Sequence, residues 1–272
     1  MNSALRHTAV LYMFLLAIAF SVNAQGLITA RPQEAGMSAE RLDRITSAMR
    51  QWVENGDISG AVTLVARQGK TVHFAAHGMA DIENAVPMKT DTIFRIASMT
   101  KAITTVAVMM LYEEGNFVLT DPVSKYIPEF KDLKVMLIPP ESYEHAAASS
   151  YVLVPAKREM TIRHLLNHTS GLSSTLWKRP YLDDMYRTEL AELSRLDKSQ
   201  TKTIHDLVTI LGRLPLHHHP GDAFEYGFST DVLGYLVEVI SGMTFDDYLR
   251  QNLFEPLGMK AVSYTHLRAH ET

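Results

Sequence analysis

Ser98 and Lys101 are the residues of this chain whose types and spacing are best suited to chemistry. A serine hydroxyl is a weak nucleophile until a neighbouring base takes its proton. Residues three apart on a helix share one face, so a helix that begins near Ser98 would hold the Lys101 amine beside the hydroxyl. The N-terminus of that helix would also offer backbone N–H groups to a developing oxyanion. The pair predicts a nucleophilic serine, but Ser-x-x-Lys also occurs as a helix cap followed by a solvated lysine, and alone the tetrapeptide favours that simpler reading.

A second candidate is Tyr226, which follows the Pro220-Gly221 turn and comes shortly before a predicted helix. A phenol in such a loop can reach the mouth of a cleft and move a proton to or from Ser98 or a leaving group. Its pKa would fall beside a protonated lysine. A tyrosine before a helix is more often a packing residue, so this motif by itself is also weak.

Hydrophobic spacing and capping residues predict the elements that must position these candidates. Residues 61–66 and 71–76 are typical of a β-hairpin, and residues 121–155 contain several prolines and are expected to be irregular. One helix begins near Ser98 and ends at Gly115. The other predicted helices cover residues 39–54 behind a Ser38 cap, 162–167, 190–196, 203–214, 229–241 and 244–253.

Composition describes a globular protein and excludes several functional classes. The chain has 272 residues, 46% of them hydrophobic, with a formal net charge of -4 and no cysteine. It contains no run of lysine or arginine, so no nucleic-acid partner is predicted. The lack of cysteine excludes disulfides, thiolate metal sites and a lipid-bearing cysteine.

Residues 1–24 are typical of a secretory signal peptide. Arg6 precedes an apolar run over residues 9–20, and Val22-Asn23-Ala24 ends in small residues suited to cleavage. The apolar run is too short to span a bilayer comfortably. The sequence therefore predicts a periplasmic or secreted protein without a stable membrane anchor.

Residues 262–272 resemble the translation of a sequencing-library adapter and are predicted to be an artefact. The authentic chain would then stop near Lys260, where no pattern signals the end of a domain. The expectation is a reading frame truncated at its 3' end, with a partial domain over residues 25–261.

Four segments, in their order and spacing, resemble the serine β-lactamase and penicillin-binding-protein superfamily. The likeness is to the branch of class C β-lactamases, D-alanyl-D-alanine carboxypeptidases and related esterases. The segments are residues 94–101, residues 165–172, Pro220-Gly221 with Tyr226, and residues 255–259. The resemblance spans about residues 33–260. It implies an α+β fold of the β-lactamase/transpeptidase type: an antiparallel sheet flanked by helices, plus a helical subdomain, with the C-terminal strands missing.

The resemblance also implies roles for the three candidates. Ser98 would be the acylated nucleophile, Lys101 its activating base and Tyr226 the proton relay. The backbone N–H of Ser98 would supply half of the oxyanion hole. The implied activity is hydrolysis of an ester, a β-lactam or a D-amino-acid amide such as a cell-wall peptide, and no cofactor is implied.

Two departures from the family pattern bear on function. Gly227-Phe228 stands where the family usually has a small residue and then asparagine, which favours an esterase-like member. The family's Lys/His/Trp-x-Gly strand, which supplies the second oxyanion donor, is not found before Lys260. Loss of one such donor costs ~10²–10³ in rate. The chain as written is therefore expected to be inactive, and the full-length gene product active.

Two histidine clusters suggest metal binding but fit other roles better. His217-His218-His219 are consecutive and cannot easily converge on one ion, so a polar loop is expected there. His164 and His168 are four apart with no glutamate between them, and residues 168–171 are expected to shape a helix end beside the cleft. No metal or cofactor site is predicted. Asp183-Asp184 is expected to be an ordinary solvated pair near a helix end.

Two alternative functions remain open at this point. A conventional Ser-His-Asp hydrolase is the first, but the chain has no Gly-x-Ser-x-Gly elbow. The second is a catalytically silent module that binds the cell wall and keeps the fold and Ser98. Covalent labelling of Ser98 distinguishes an enzyme from a binding module. The substrate and the oligomeric state are left open by the sequence.

Overall fold

The computed structural model describes residues 28–138, 151–175, 179, 181–195 and 203–259. The predicted signal peptide and the predicted adapter tail lie outside the described residues. The described chain divides into two compact units, one formed by residues 28–95 with 256–258 and the other by the remaining described residues. Ser98, Lys101 and Tyr226 all belong to the second unit.

The first unit is a small sheet with one long helix. Its elements are β1 (Ile28–Thr29), α1 (Ala39–Glu54), β2 (Gly60–Arg67), β3 (Lys70–Asp81) and β4 (Val86–Pro87). Strands β2 and β3 form the predicted antiparallel hairpin, while β1 joins β3 in parallel and β4 joins it antiparallel. The Ser38 Oγ accepts the Arg41 N–H at 3.3 Å, which caps α1 as predicted.

The hairpin turn and the small core of this unit follow from local chemistry. Gln68 and Gly69 both have positive φ, 51° and 72°, which suits a two-residue turn between twisted strands. Leu42 of α1 packs with Ala35 and Val72 to form the buried cluster of the unit. The prediction of a capped helix beside a hairpin is therefore confirmed.

The second unit is mainly helical. Its elements are α2 (Thr100–Glu113), β5 (Lys134–Leu137), β6 (Val152–Pro155), α3 (Ile162–Leu166), α4 (Leu182–Arg195), α5 (Ile204–Leu211), α6 (Ser229–Ser241) and α7 (Phe245–Leu249). Helices α2 and α6 pack against each other at its centre. Their facing apolar side chains are almost fully buried, namely Ala107, Val108 and Leu111 from α2 and Val232, Leu233, Leu236 and Val237 from α6. This packing holds α2, which carries Lys101 in its first turn and is directly preceded by Ser98.

Most helix ends occur where capping residues predicted them. Thr161 and Thr203 form capping boxes at the starts of α3 and α5. Gly242, with φ of 69°, ends α6 at the predicted position. Other boundaries differ: α4 begins at Leu182 rather than at residue 190, and α7 passes after Leu249 into a π-helical turn.

The proline-containing segment that was expected to be irregular contains a two-stranded sheet. Strands β5 and β6 pair antiparallel along their whole lengths. The segment before Tyr226 adds to this sheet, because the Leu216 N–H donates to the Lys134 carbonyl at 2.7 Å and Leu216 O accepts the Met136 N–H at 2.9 Å. The sheet was missed because its strands are short and their partners are distant in sequence. It anchors one end of the loop that carries Tyr226.

The architecture agrees with the α+β fold class expected from the sequence, with a sheet, flanking helices and a helical region. Within the described ranges, no helix combines the length and the apolar character needed to cross a bilayer.

Candidate active site

Ser98 lies in a short 3-10 turn, Ala97–Met99, that leads directly into α2. Its side chain is exposed, whereas Lys101 in the first turn of α2 is partly buried. Ala97 has a φ of 44°, in the left-handed region that a residue with a Cβ rarely adopts. Strain of this kind persists only where the surrounding structure imposes it, and it is common next to reacting groups.

The structure brings the three predicted site residues together. Lys101 Nζ donates to Ser98 Oγ at 3.4 Å, as expected for residues three apart at a helix start. The hydroxyl of Tyr226, 128 positions further along the chain, lies 2.7 Å from Ser98 Oγ. Lys101 Nζ also lies 4.8 Å from the centroid of the Tyr226 ring. A serine hydroxyl therefore has two proton-exchanging groups within reach.

The charge of Lys101 acts on Tyr226. The hydrogen bond from Lys101, followed by that from Ser98, holds the pKa of the Tyr226 phenol below its ordinary value. Burial and the carboxylate of Asp231 act in the opposite direction but are weaker. The predicted fall in this pKa is confirmed, and it makes the phenol a better proton donor and relay near neutral pH.

Tyr226 lies in a loop over residues 217–228, which is held in place by a second loop over residues 168–173. Backbone hydrogen bonds join them along their length: His217 N–H to Gly171 O at 2.8 Å, Gly221 N–H to Thr169 O at 2.7 Å, Glu225 N–H to His168 O at 2.7 Å and Phe228 N–H to Ser173 O at 3.2 Å. Below them, the buried hydroxyls of Ser170 and Ser229 are 2.8 Å apart. The loop with Tyr226 is thus fixed to the end of α3 and to the start of α6.

The residue after Tyr226 must be glycine for a steric reason. A Cβ on Gly227 would lie 2.2 Å from the carbonyl oxygen of Leu172 and 2.4 Å from that of Ser173. Real Cβ atoms do not approach backbone oxygens so closely, so a larger residue would push the loops apart. The close approach sets the distance between the two loops beside Tyr226.

His168 forms an aromatic wall behind Tyr226. The His168 ring stacks on the Tyr226 ring, with centroids 5.2 Å apart and planes at 30°. The centroid of the Phe224 ring lies 5.8 Å from that of His168. Burial, and then the charge of Lys101, lower the pKa of His168, so the ring is neutral at pH 7. Because α3 ends at Leu166, His168 lies beyond the helix and beside the site, which confirms the predicted helix end. His164 instead closes the capping box at the other end of α3.

Glu225, which is buried, and Arg179, which is partly buried, form an ion pair that no sequence pattern indicated. Glu225 is only 3% exposed, and both of its carboxylate oxygens accept from Arg179, at 2.6 Å and 2.9 Å. The expectation that Asp183 is solvated is wrong: it is fully buried and its Oδ2 accepts the Arg179 backbone N–H at 2.7 Å. Asp183 lies in the first turn of α4, which begins earlier than the sequence predicted. Because such contacts join segments that are distant in the sequence, they produce no spacing pattern from which they could be predicted.

The expected polar loop at His217–His219 lies next to this ion pair. Ligand atoms of His217, His218 and Glu225 fall within 4.8 Å of one another, a spacing that a metal ion can use. Glu225 is thus the carboxylate neighbour that sequence spacing did not reveal. The Arg179 guanidinium already neutralises that carboxylate through two hydrogen bonds. The donor set therefore fits a charged hydrogen-bond network better than a divalent cation.

Phe228, where the family usually has asparagine, faces the interior. Its ring lies nearly parallel to that of the fully buried Tyr186, with centroids 6.2 Å apart and planes at 19°. Neither Phe228 nor Gly227 has a side-chain amide.

Comparison with known proteins places this geometry in a family. The profile of the Beta-lactamase family matches residues 45–271. Esterase EstB from Burkholderia gladioli is 33% identical over 237 residues, which cover 85% of this chain and 53% of EstB. Among solved structures, EstCE1, described as a hydrolase with promiscuous acyltransferase activity, superposes with a TM-score of 0.63 at 28% identity, covering 80% of this chain and 52% of EstCE1.

A third relative is simvastatin synthase LovD from Aspergillus terreus. It superposes with a TM-score of 0.65 at 28% identity, covering 82% of this chain and 54% of LovD. The chain spans about half the length of the curated relatives it matches, 50% and 53% in two cases.

Proposed function

Because this chain belongs to the beta-lactamase family, in its esterase-like branch, we propose that it carries the acylation machinery of a serine hydrolase, with Ser98 as the nucleophile. The observation that carries the proposal is the position of Ser98 Oγ, 2.7 Å from the Tyr226 hydroxyl and 3.4 Å from Lys101 Nζ. A nucleophile within hydrogen-bond distance of a base that is itself oriented by a third group is the arrangement that acyl transfer requires.

In the proposed acylation step, Ser98 Oγ forms a bond to the substrate carbonyl carbon. Tyr226 makes the shorter contact, so its phenolate takes the Ser98 proton, and the charge of Lys101 stabilises that phenolate. The proposed base is therefore Tyr226, whereas the family resemblance implied Lys101 as the base; Lys101 activates Ser98 indirectly, through its charge beside the phenolate. The tetrahedral intermediate then collapses, the bond from carbon to the leaving alkoxide breaks, and Tyr226 returns the proton to that alkoxide.

Deacylation runs through the same groups in reverse. A water or an alcohol gives its proton to Tyr226 and bonds to the acyl carbon, the bond to Ser98 Oγ breaks, and the proton returns to Ser98. Water as acceptor gives hydrolysis, and an alcohol gives acyl transfer. Relatives with both activities occur, since EstB is named an esterase and EstCE1 is described as a hydrolase with promiscuous acyltransferase activity.

We favour esters over β-lactams and D-amino-acid peptides as substrates. The reason is the pair Gly227-Phe228, which offers no side-chain amide beside Tyr226 because the Phe228 ring packs on the buried Tyr186. A site built to hydrogen-bond an amide side chain would lose much of its discrimination without that partner.

We also propose that the protein is exported to the periplasm or secreted, from the signal-peptide pattern of residues 1–24. N-terminal sequencing of the protein recovered outside the cytoplasm tests this: a start at Gln25 supports export, and a retained residue 1 contradicts it.

Covalent labelling of Ser98 tests the proposed activity. Protein expressed from the complete open reading frame is incubated with a fluorescent phosphonate, and hydrolysis of p-nitrophenyl acetate and nitrocefin is measured in parallel. Ser98→Ala should abolish labelling and lower kcat by a factor on the order of 10⁴–10⁶. The acetate ester should be the better of the two substrates.

Three results would count against the proposal. Labelling that survives in Ser98→Ala would remove Ser98 as nucleophile. Preferred turnover of nitrocefin would overturn the choice of esters. Absence of labelling in a protein that binds peptidoglycan would instead favour the silent cell-wall-binding module.

A further inference from the structure

Glu225 immediately precedes Tyr226 in the chain, and its carboxylate is held by an ion pair with Arg179. Its carboxylate is 3% exposed and accepts both arms of the Arg179 guanidinium, at 2.6 Å and 2.9 Å. A guanidinium that meets a carboxylate through two parallel hydrogen bonds fixes orientation as well as distance. Such a pair can therefore set the position of the adjoining backbone.

Other groups complete the charge balance of the pair. His217 Nδ1 lies 3.1 Å from Glu225 Oε2, and Arg179 also donates to the buried Ser173 hydroxyl at 3.1 Å. Burial opposes ionisation of Glu225, but the hydrogen bond from His217 and the charge of Arg179 outweigh it, so its pKa lies below the ordinary value. Glu225 is thus a carboxylate at neutral pH and keeps the ion pair formed.

Arg179 is itself anchored to the helical core. Its backbone N–H donates to Asp183 Oδ2 at 2.7 Å, and Asp183 is fully buried in the first turn of α4. A continuous set of contacts therefore runs from α4 through Arg179 and Glu225 to Tyr226. On the other side of Tyr226, Gly227 is pressed against the Leu172 and Ser173 carbonyls.

We propose that the Arg179–Glu225 ion pair is a positioning device that keeps the Tyr226 hydroxyl within hydrogen-bond distance of Ser98. The expected effect on the rate rests on the proposed acyl-transfer function, whereas the expected effect on the position of Tyr226 does not. The Glu225 carboxylate is buried and the Arg179 side chain is 24% exposed, so the pair is better shielded from solvent than a surface bridge. Arg179 and Glu225 are positioning residues because they act through Tyr226. Misplacing a reacting group by about 1 Å can cost about 10²-fold in rate.

Positioning and simple stabilisation make different predictions. If the pair only stabilises the fold, variants will contain fewer folded molecules, each with the normal rate and the normal Tyr226. If the pair positions Tyr226, folded molecules will turn over slowly with little change in KM. The Tyr226 phenol of these variants will also move away from Lys101 and Ser98. Since those two residues lower the pKa of Tyr226 in the wild type, its pKa in the variants will rise towards the ordinary value.

The experiment compares Arg179→Met, Arg179→Lys and Glu225→Gln with the wild type, all expressed from the complete open reading frame. Arg250→Met is the matched control, because Arg250 also contacts two carboxylates, Asp247 and Glu255, but in the π-helical turn after α7, where its side chain is exposed. Active sites are counted by phosphonate titration, kcat and KM are measured with p-nitrophenyl acetate, and Tyr226 is titrated by the ultraviolet absorbance of tyrosinate, using Tyr226→Phe as the blank.

We expect kcat per active site to fall about 10²-fold in Arg179→Met, with KM nearly unchanged. Arg179→Lys keeps the charge but not the paired hydrogen bonds and should recover part of the rate. Tyr226 should titrate at higher pH in all three variants, and Arg250→Met should match the wild type in every measurement.

A normal kcat per active site together with an unshifted Tyr226 titration would overturn the proposal. So would failure of all three variants to fold, since the pair would then be a folding requirement. If the wild type itself hydrolyses nothing and Ser98 does not label, the proposed function fails, and the tyrosinate titration still decides whether the pair positions Tyr226.

Discussion

Tyr226 contacts Ser98 through its hydroxyl and His168 through its ring, so the two contributions of this side chain can be separated. The hydroxyl lies 2.7 Å from Ser98 Oγ, while the ring stacks on His168 at 5.2 Å. Tyr226→Phe removes the first contact and keeps the second. We expect kcat to fall by ~10²–10⁴, the range for loss of a general acid–base group, while the melting temperature changes little.

Tyr112→Phe is the matched control for this prediction. Tyr112 lies near the end of α2, packs against Phe117 and is 37% exposed. Loss of its hydroxyl should leave p-nitrophenyl acetate hydrolysis unchanged. A wild-type kcat in Tyr226→Phe would assign the proton transfers to Lys101 alone.

At the residue scale, the sequence predicts what is local or what matches a known motif. The contact between Ser98 and Lys101 follows from the i, i+3 geometry of a helix start. The approach of Tyr226 was expected only through the family resemblance, since no spacing rule joins residues 128 positions apart. The Arg179–Glu225 pair and the buried Asp183, which accepts a backbone N–H, were not predicted, because an acidic residue in a sequence carries no mark of the partner that it will meet.

At the scale of elements, Gly227 fixes the distance between the two loops that meet beside Tyr226. In Gly227→Ala the new Cβ would lie 2.2 Å and 2.4 Å from two backbone oxygens, so the loops must separate. We expect a loss of about 1–3 kcal/mol in the free energy of unfolding, as for overpacked sites. Because Tyr226 is the adjoining residue, kcat should fall as well. Urea unfolding and active-site-normalised kinetics measure the two effects.

Gly115→Ala is the control for Gly227→Ala, because it strains the backbone without displacing the two loops. Gly115 has φ of 77° and nothing within 4 Å of its ideal Cβ, so alanine there costs conformational strain without a clash. This variant should lose stability but keep the wild-type kcat per active site. An equal loss of kcat in both variants would show that stability, and not the spacing of the loops, controls the rate.

Prediction of the elements succeeded where a side chain or a glycine ends the helix locally. Ser38, Thr161 and Gly242 each end or begin a helix at the expected residue. It failed for β5 and β6, whose hydrogen bonds connect segments on either side of a proline-containing stretch. Strand pairing of this type is decided by the tertiary structure, since short apolar runs fit several environments.

At the scale of the whole molecule, the protonation of histidines links stability to pH. Four histidines of the described residues have a pKa below the ordinary value of 6.5, and burial is the first cause for each: His77, His164, His168 and His219. The unfolded chain binds protons at these sites at a higher pH than the folded protein does. Stability should therefore fall as the pH drops from about 7 towards about 5, before the carboxylates are protonated.

The melting temperature measured across this range tests the linkage, and His168→Phe isolates one site. His168 faces Lys101, which lowers its pKa further, and Asp231, which raises it. Phenylalanine keeps a ring against Tyr226 but cannot bind a proton, so the melting temperature of His168→Phe should depend less steeply on pH than that of the wild type.

The lowered pKa values of Asp121, Asp222 and Glu225 affect stability in a separate pH range, below their ordinary values of 3.8 and 4.5. Since burial and not exposed charge is the main cause, the slope between about pH 7 and about pH 5 should survive in high salt. A melting temperature that stays constant over that range would contradict the neutral, desolvated state of these histidines in the folded protein.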